Sequence, residues 1–119
     1  MTLVFVYGTL KRGCRNHHYL TGQQFLGEAR TDPGFTLYSL GEYPGLVRSA
    51  DSAQQVVGEV WAVDPAGLRQ LDLLEGVSEQ LYARGPIPLD PPFANEPIET
   101  YYYLRSLTGH AAIGPVWLE

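Results

Sequence analysis

The chain has one cysteine, Cys14, so no internal disulfide can brace it and its fold must come from a packed core. Positive charge is scarce: eight lysines and arginines stand against thirteen acids, a net charge of −5. That balance excludes a nucleic-acid partner, which leaves a basic footprint. No apolar run approaches the roughly 20 residues needed to cross a bilayer, so no membrane span is expected. A charged region before the first apolar run is also missing, and the expectation is a cytoplasmic chain without a signal peptide. Metal-ligand spacing is absent: His17 and His18 are adjacent, about 100° apart on any helix, and His110 stands alone. Neither a metal nor a cofactor is expected. Gly-x-Ser-x-Gly, the P-loop and the Rossmann fingerprint are missing as well. Lys11, Arg12 and Arg15 could lower the pKa of Cys14, but no motif pairs it with a histidine base, and it reads as an incidental thiol.

Repeats, linkers and low-complexity stretches are lacking too, and 119 residues suit one domain spanning 1–119. Glycine and proline punctuate short apolar runs. Leu3 to Tyr7 is branched or aromatic, as a buried strand requires, and Gly8 then lets the backbone turn or approach a ligand. Amides of such a turn can converge on an anionic oxygen, with the Thr9 hydroxyl and the charges of Lys11 and Arg12 in support. An ordinary strand ending in an ordinary turn is the alternative. Phe25 to Arg30 and Phe35 to Leu40 read as strands around an Asp32-Pro33-Gly34 turn. Val56 to Val63 is apolar enough for a central strand, its Gly58 marking a bulge or a close backbone approach. Leu81 to Leu89 reads as extended, with Pro86 and Pro88 confining it to an edge. Ile98 to Arg105 is the last strand, after a surface loop from Pro91 to Pro97. Many strands with one helix imply an α+β domain, a curled, mostly antiparallel sheet or a small β-barrel.

The helix is bounded by local chemistry. Asp64 suits an N-cap, Pro65 occupies a first turn that needs no amide donor, and Gly76 can end the helix in a left-handed conformation. Within Pro65 to Glu75, Glu75 falls seven residues after Leu68 and four after Leu71, on their apolar stripe. A carboxylate there must be paired, hydrogen-bonded or partly protonated, and both desolvation and the helix dipole raise its pKa toward the range of a general base. Spacing alone equally allows a last-turn residue that swings out to solvent. Asp72 lies on the flank of the same face and reads as a solvated carboxylate. In Tyr101-Tyr102-Tyr103, Tyr102 must face one side of its strand and its neighbours the other. Glu42-Tyr43-Pro44-Gly45 reads as a tight turn.

Four segments in order resemble one family. Val4 to Asn16 (VFVYGTLKRGCRN), Leu37 to Val47 (LYSLGEYPGLV), Val57 to Asp64 (VGEVWAVD) and Leu68 to Tyr82 (LRQLDLLEGVSEQLY) are similar to the gamma-glutamylcyclotransferase-like (AIG2-like) family, which includes gamma-glutamylamine cyclotransferases and small bacterial members. The tail from Ser106 to Glu119 has no matching motif. The resemblance implies an enzyme that releases 5-oxoproline and a free amine from a small γ-glutamyl amide, without cofactor, by attack of the substrate's own α-amine. It implies Glu75 as the catalytic acid and base, and substrate binding by Tyr7, Gly8, Thr9 and Leu10. Tyr43 becomes a pocket wall, and Tyr82 and Arg84 become hydrogen-bond and charge partners of Glu75. A late-strand aromatic also lines the family's pocket; Tyr103 is assigned that place, with Tyr101 on the same face as the alternative. A non-catalytic protein that binds a γ-glutamyl-like ligand in this fold, and an interaction module with an acidic surface, are the competing readings.

Overall fold

The computed structural model describes residues 1–119 and contains eight strands and one α-helix. They are β1 (Thr2–Val6), β2 (Gln24–Arg30), β3 (Phe35–Ser39), β4 (Pro44–Arg48), β5 (Val57–Val63), α1 (Pro65–Leu74), β6 (Tyr82–Pro86), β7 (Ile98–Tyr103) and β8 (Ala111–Ile113). Short 3₁₀ turns occupy His17–Leu20 and Val77–Glu79. The main sheet has the order β2-β5-β1-β7-β6 and is antiparallel except for the β1/β7 pair. A second antiparallel sheet has the order β4-β3-β8. The fold is therefore α+β, with one main helix.

Alternation along the central strands divides the core in two. Val4 and Val6 of β1, Trp61 and Val63 of β5 and Tyr101 of β7 face Leu71 of α1 and Leu20. Phe5, Val60 and Tyr102, one residue out of phase with them, face Leu37 and Leu46 of the second sheet. Strands buried on both faces must be apolar throughout, which is why β1 and β5 read as continuous rather than alternating runs. The helix starts as its sequence dictates: the Gly67 amide donates to Asp64 Oδ1 at 2.6 Å, and Pro65 begins the first turn. Gly76, at φ 64°, ends it.

The expectation of a barrel is corrected, because neither sheet closes. β2 and β6 remain edges of the main sheet, and a single bridge between Thr31 and Leu89 spans the gap between them. Pro86 ends β6 and Pro88 follows it; neither has an amide with which to extend a ladder toward β2. Pro44 and Gly45, read as the close of a turn, instead open β4, pairing with Ser39 and Tyr38. The reversal lies just before them, where the Leu40 amide donates to the Tyr43 carbonyl at 2.9 Å. β8 arises in the tail, outside any motif.

Gly58 is a close approach. A Cβ there would collide with the Val6 carbonyl oxygen and lie 2.8 Å from the Phe5 ring, while the register shift sits opposite, between Phe25 and Gly27 of β2. Since Phe5 and Val6 lead directly into the Gly8 turn, this contact sets the path of the chain into that turn. Gly58→Ala should destabilise the fold by about 1–3 kcal/mol, the usual range for overpacking a tight core. A urea midpoint within experimental error of the parent would refute the stated contact.

Candidate active site

β1 delivers the chain to a cavity of about 310 Å³ between the Gly8 turn, the end of α1 and the start of β4. Tyr7, Gly8, Thr9 and Leu10 line one side, Glu75 and Tyr82 another, and Tyr43 and Pro44 a third. Gly8 is packed against Pro44, whose ring would lie 2.7 Å from any added Cβ, so only glycine lets the turn lie flat on this wall.

The turn is held from behind. The Lys11 amide donates to the Gly8 carbonyl, the Asn16 amide to the Thr9 carbonyl, and Asn16 Nδ2 to Thr9 Oγ1 at 3.1 Å. Arg12 clamps its far end: its amide and Nε donate to the buried Glu59 carboxylate at 3.1 and 3.0 Å, and the Trp61 indole donates to the same group. Lys11 Nζ donates to the Trp117 carbonyl at 2.6 Å. The charges of Lys11 and Arg12 thus brace the turn instead of facing the cavity. By contrast, none of the amides from Tyr7 to Leu10 donates to an acceptor within the chain. Unspent consecutive amides beside a cavity are free to donate to a ligand.

Glu75 follows the last residue of α1, with its amide bonded to the Leu71 carbonyl. Its side chain takes the inward course that the Leu68/Leu71 stripe allowed and enters the cavity wall. Burial pushes its pKa up to about 7, and no hydrogen bond or cation offsets the shift. Burial also raises Tyr7, Tyr82 and Tyr101, all of which line the cavity, and the Glu75 charge adds to each rise. Their hydroxyls are engaged: Tyr7 donates to the Tyr101 carbonyl, Tyr82 to the Pro44 carbonyl, and Tyr101 to Asp72 Oδ1. Among these buried wall residues, Glu75 is the group placed to exchange a proton near neutrality.

Other sequence assignments move. Arg84 does not face Glu75; it binds Asp72 through Nε and Nη2 at 3.0 and 3.2 Å, and Glu99 through Nη1 at 2.7 Å. Asp72 is accordingly a paired carboxylate, not a solvated one. Tyr103 lies outside the cavity and packs edge-on against Tyr82, while Tyr101, the alternative on the same strand face, supplies the wall. Tyr82 bonds to Pro44 rather than to Glu75. The Cys14 thiol is pushed up by burial and by Glu119, against the lowering expected from its basic neighbours. Arg15, Asn16, Glu42, Leu74 and Leu81 also line the cavity. Arg15 and Asn16 lie at the end of the first motif and Glu42 within the second, but the sequence marks Arg15 only as a neighbour of Cys14 and Glu42 only as part of a turn.

Comparisons with known proteins agree with this geometry. Residues 4–115 match the family described as gamma-glutamyl cyclotransferase, AIG2-like. A Vibrio cholerae protein provisionally named a gamma-glutamylcyclotransferase is 48% identical over 99 residues, covering 83% of this chain and 81% of its own. The solution NMR structure of Escherichia coli ytfP superposes with a TM-score of 0.74 at 37% identity, over 99% of this chain and 97% of that one. The crystal structure of an AIG2-like protein from Mus musculus gives 0.73 at 28% identity, over 89% of this chain and 78% of that one. Two more distant relatives are matched over 51% and 50% of their own lengths. With its matched span, its two-sheet α+β fold and the Gly8 turn facing Glu75 across one cavity, this chain belongs to the AIG2-like gamma-glutamyl cyclotransferase family.

Proposed function

We propose that the protein converts a γ-glutamyl amide into 5-oxoproline and a free amine. The observation that supports this reading best is the unpaired Glu75 carboxylate, with its pKa near 7, in the same cavity as the unspent amides of Tyr7 to Leu10. No activated serine or cysteine stands beside it, so the nucleophile is assigned to the substrate. The α-amine attacks the γ-carbonyl carbon, a five-membered ring closes, and the carbonyl oxygen becomes an oxyanion. Glu75 takes the proton that the α-ammonium loses. As the oxyanion collapses, the bond from the γ-carbon to the amine nitrogen breaks and Glu75 returns the proton to that nitrogen. The ring nitrogen then gives its remaining surplus proton to the freed Glu75 carboxylate, which passes it to the departing amine, so the products are 5-oxoproline and an ammonium ion. Because the attack is intramolecular, the cavity needs only to fold the substrate and carry protons from the attacking nitrogen to the departing one. The main-chain amides hold its anionic oxygen; losing one such donor from a developing charge costs about 3 kcal/mol.

A merely binding protein gains nothing from a buried acid held near neutrality, which favours turnover over simple capture. Glu75→Gln should retain the fold and reduce 5-oxoproline release at least about a hundredfold, the usual scale for one acid-base group. Stability should change in the opposite sense. The parent binds an extra proton in the native state between the ordinary glutamate value of 4.5 and about 7, so its stability falls as pH rises through that window. The glutamine variant lacks this loss and should gain on the parent by up to about 3 kcal/mol between pH 4 and pH 8. Urea unfolding at both pH values reads the difference; an equal offset at the two would contradict a half-buried carboxylate whose pKa desolvation raises.

The proton count fixes a pH profile. The productive complex has one proton shared between Glu75 and the substrate amine, so kcat/KM should rise as Glu75 ionises near pH 7. It should fall again as the free α-ammonium, near pKa 8 in simple peptides, deprotonates. An N-acetylated γ-glutamyl compound, having no nucleophile, should release nothing. Glutamate in place of 5-oxoproline among the products would identify water as the nucleophile and overturn the reaction.

A further inference from the structure

We infer that Trp117 and Glu119 are positioning residues for the Gly8 turn: they hold the segment from Lys11 to Asn16 and, through it, the turn amides that face the cavity. The inference rests on the proposed reading, in which those amides receive an anionic oxygen of the ligand. The segment after the turn buries little of its own surface. Arg12, Gly13 and Arg15 are exposed, Lys11, Cys14 and Asn16 are only half-buried, and a Cβ placed on Gly13 would meet nothing within 4 Å. A loop so thinly packed depends on its hydrogen bonds for order, because little apolar contact opposes its chain entropy.

Those bonds lead to the tail from both ends of the segment. At one end the Lys11 amide donates to the Gly8 carbonyl at 3.2 Å, while Lys11 Nζ donates to the Trp117 carbonyl at 2.6 Å. At the other end the Arg15 amide donates to Glu119 Oε1 at 2.8 Å. The next residue, Asn16, holds Thr9 through its amide at 2.9 Å and through Nδ2 at 3.1 Å. Gly8 and Thr9 are therefore each held by a residue that the tail holds, or by its neighbour. The Arg12 clamp on Glu59 fixes the segment between these ends at one point. The tail supplies the two flanking points, and three points define an orientation where one does not.

The tail is itself anchored. Trp117 is buried in the core between the sheets, and its indole donates to Glu119 Oε2 at 3.1 Å, so a buried ring orients the carboxylate that receives the Arg15 amide. The Val57 amide donates to the Pro115 carbonyl at 2.8 Å and joins the tail to β5, the strand that also presents Glu59 to Arg12. Tail and clamp are thus referred to one central strand. A carboxylate suits position 119 because its two oxygens accept from two donors at once. Alanine leaves the Arg15 amide and the indole without that acceptor, whereas glutamine keeps one acceptor oxygen and serves one of them.

The test reads the turn directly, through ¹⁵N relaxation of the Gly8, Thr9 and Leu10 amides, and reads its use through the affinity for 5-oxoproline measured by calorimetry. In the parent the order parameters should lie near the rigid-backbone value of about 0.85, and in Glu119→Ala they should fall below about 0.6. Affinity should drop about tenfold in that variant, because the ligand must then order the turn. Glu119→Gln should fall between the two, and it serves the same comparison should the alanine variant fail to fold. Ile113→Ala is the control for stability alone: it removes a side chain packed against the same core but leaves the three ties of the tail in place. It should lower the urea midpoint while the turn amides and the affinity stay as in the parent. Unchanged order parameters in Glu119→Ala, an equal loss in Ile113→Ala, or a mobile turn with undiminished affinity would each overturn the inference. A parent that binds no 5-oxoproline would count against the cyclotransferase reading alone, and the order parameters would still decide whether the tail positions the turn.

Discussion

The structure turns on one carboxylate that is denied a partner. Glu75 enters a wall built largely of tyrosine and leucine side chains, and nothing there donates to it or neutralises it. A charge in that place is disfavoured, and the proton it retains near neutrality is the expression of that penalty. A cation within reach would reverse the effect and turn an acid-base group into a structural ion pair. The surrounding cations are committed elsewhere: Arg84 to Asp72 and Glu99, Arg12 to Glu59, Lys11 to the Trp117 carbonyl, and Arg15, which lines the same cavity, to Glu42 and Glu119.

Asp72 shows what Glu75 would become. Three residues earlier on the same helix, it accepts two hydrogen bonds from Arg84 and one from Tyr101. Two carboxylates one turn apart thus have different surroundings, one paired with a cation and a hydroxyl and the other without a partner. The pairing also commits the Arg84 guanidinium to Asp72 and Glu99 instead of Glu75. Tyr101 links the two regions: its ring forms the cavity wall while its hydroxyl completes the Asp72 shell.

What could be read from the sequence was what local chemistry decides. Asp64-Pro65 and Gly76 bracket the helix because capping and φ preference act within a few residues, and the position of Glu75 on the Leu71 stripe follows from helical geometry. Period-two alternation likewise separated Tyr102 from Tyr101 and Tyr103. Alternation gives the face of a side chain but not its distance along the strand from a cavity, so it could not place Tyr101 rather than Tyr103 in the wall. The Tyr43-Pro44-Gly45 segment has the residues of a turn, yet Pro44 can open an edge strand, where a missing amide does no harm, and pairing with β3 overrides the local signal. Barrel closure, the partner of Arg84 and the path of the tail depend on contacts between distant residues, and no local pattern encodes them.

The absence of an activated side-chain nucleophile and the bracing of the Gly8 turn belong to one argument. If the substrate attacks itself, catalytic advantage comes from how tightly the chain is folded in the cavity, and a receptor of main-chain amides serves only as well as it is fixed. Every tie on the turn therefore comes from its rear: Asn16 on Thr9, Glu59 on Arg12, and the tail on Lys11 and Arg15. The front is left unbonded. A turn braced in this way is ordered before any ligand arrives, so on the proposed reading binding energy is not spent in ordering it. On the proposed reading the buried Glu59 contributes at a distance: through Arg12 it fixes the far end of the turn whose amides face the cavity that Glu75 also lines.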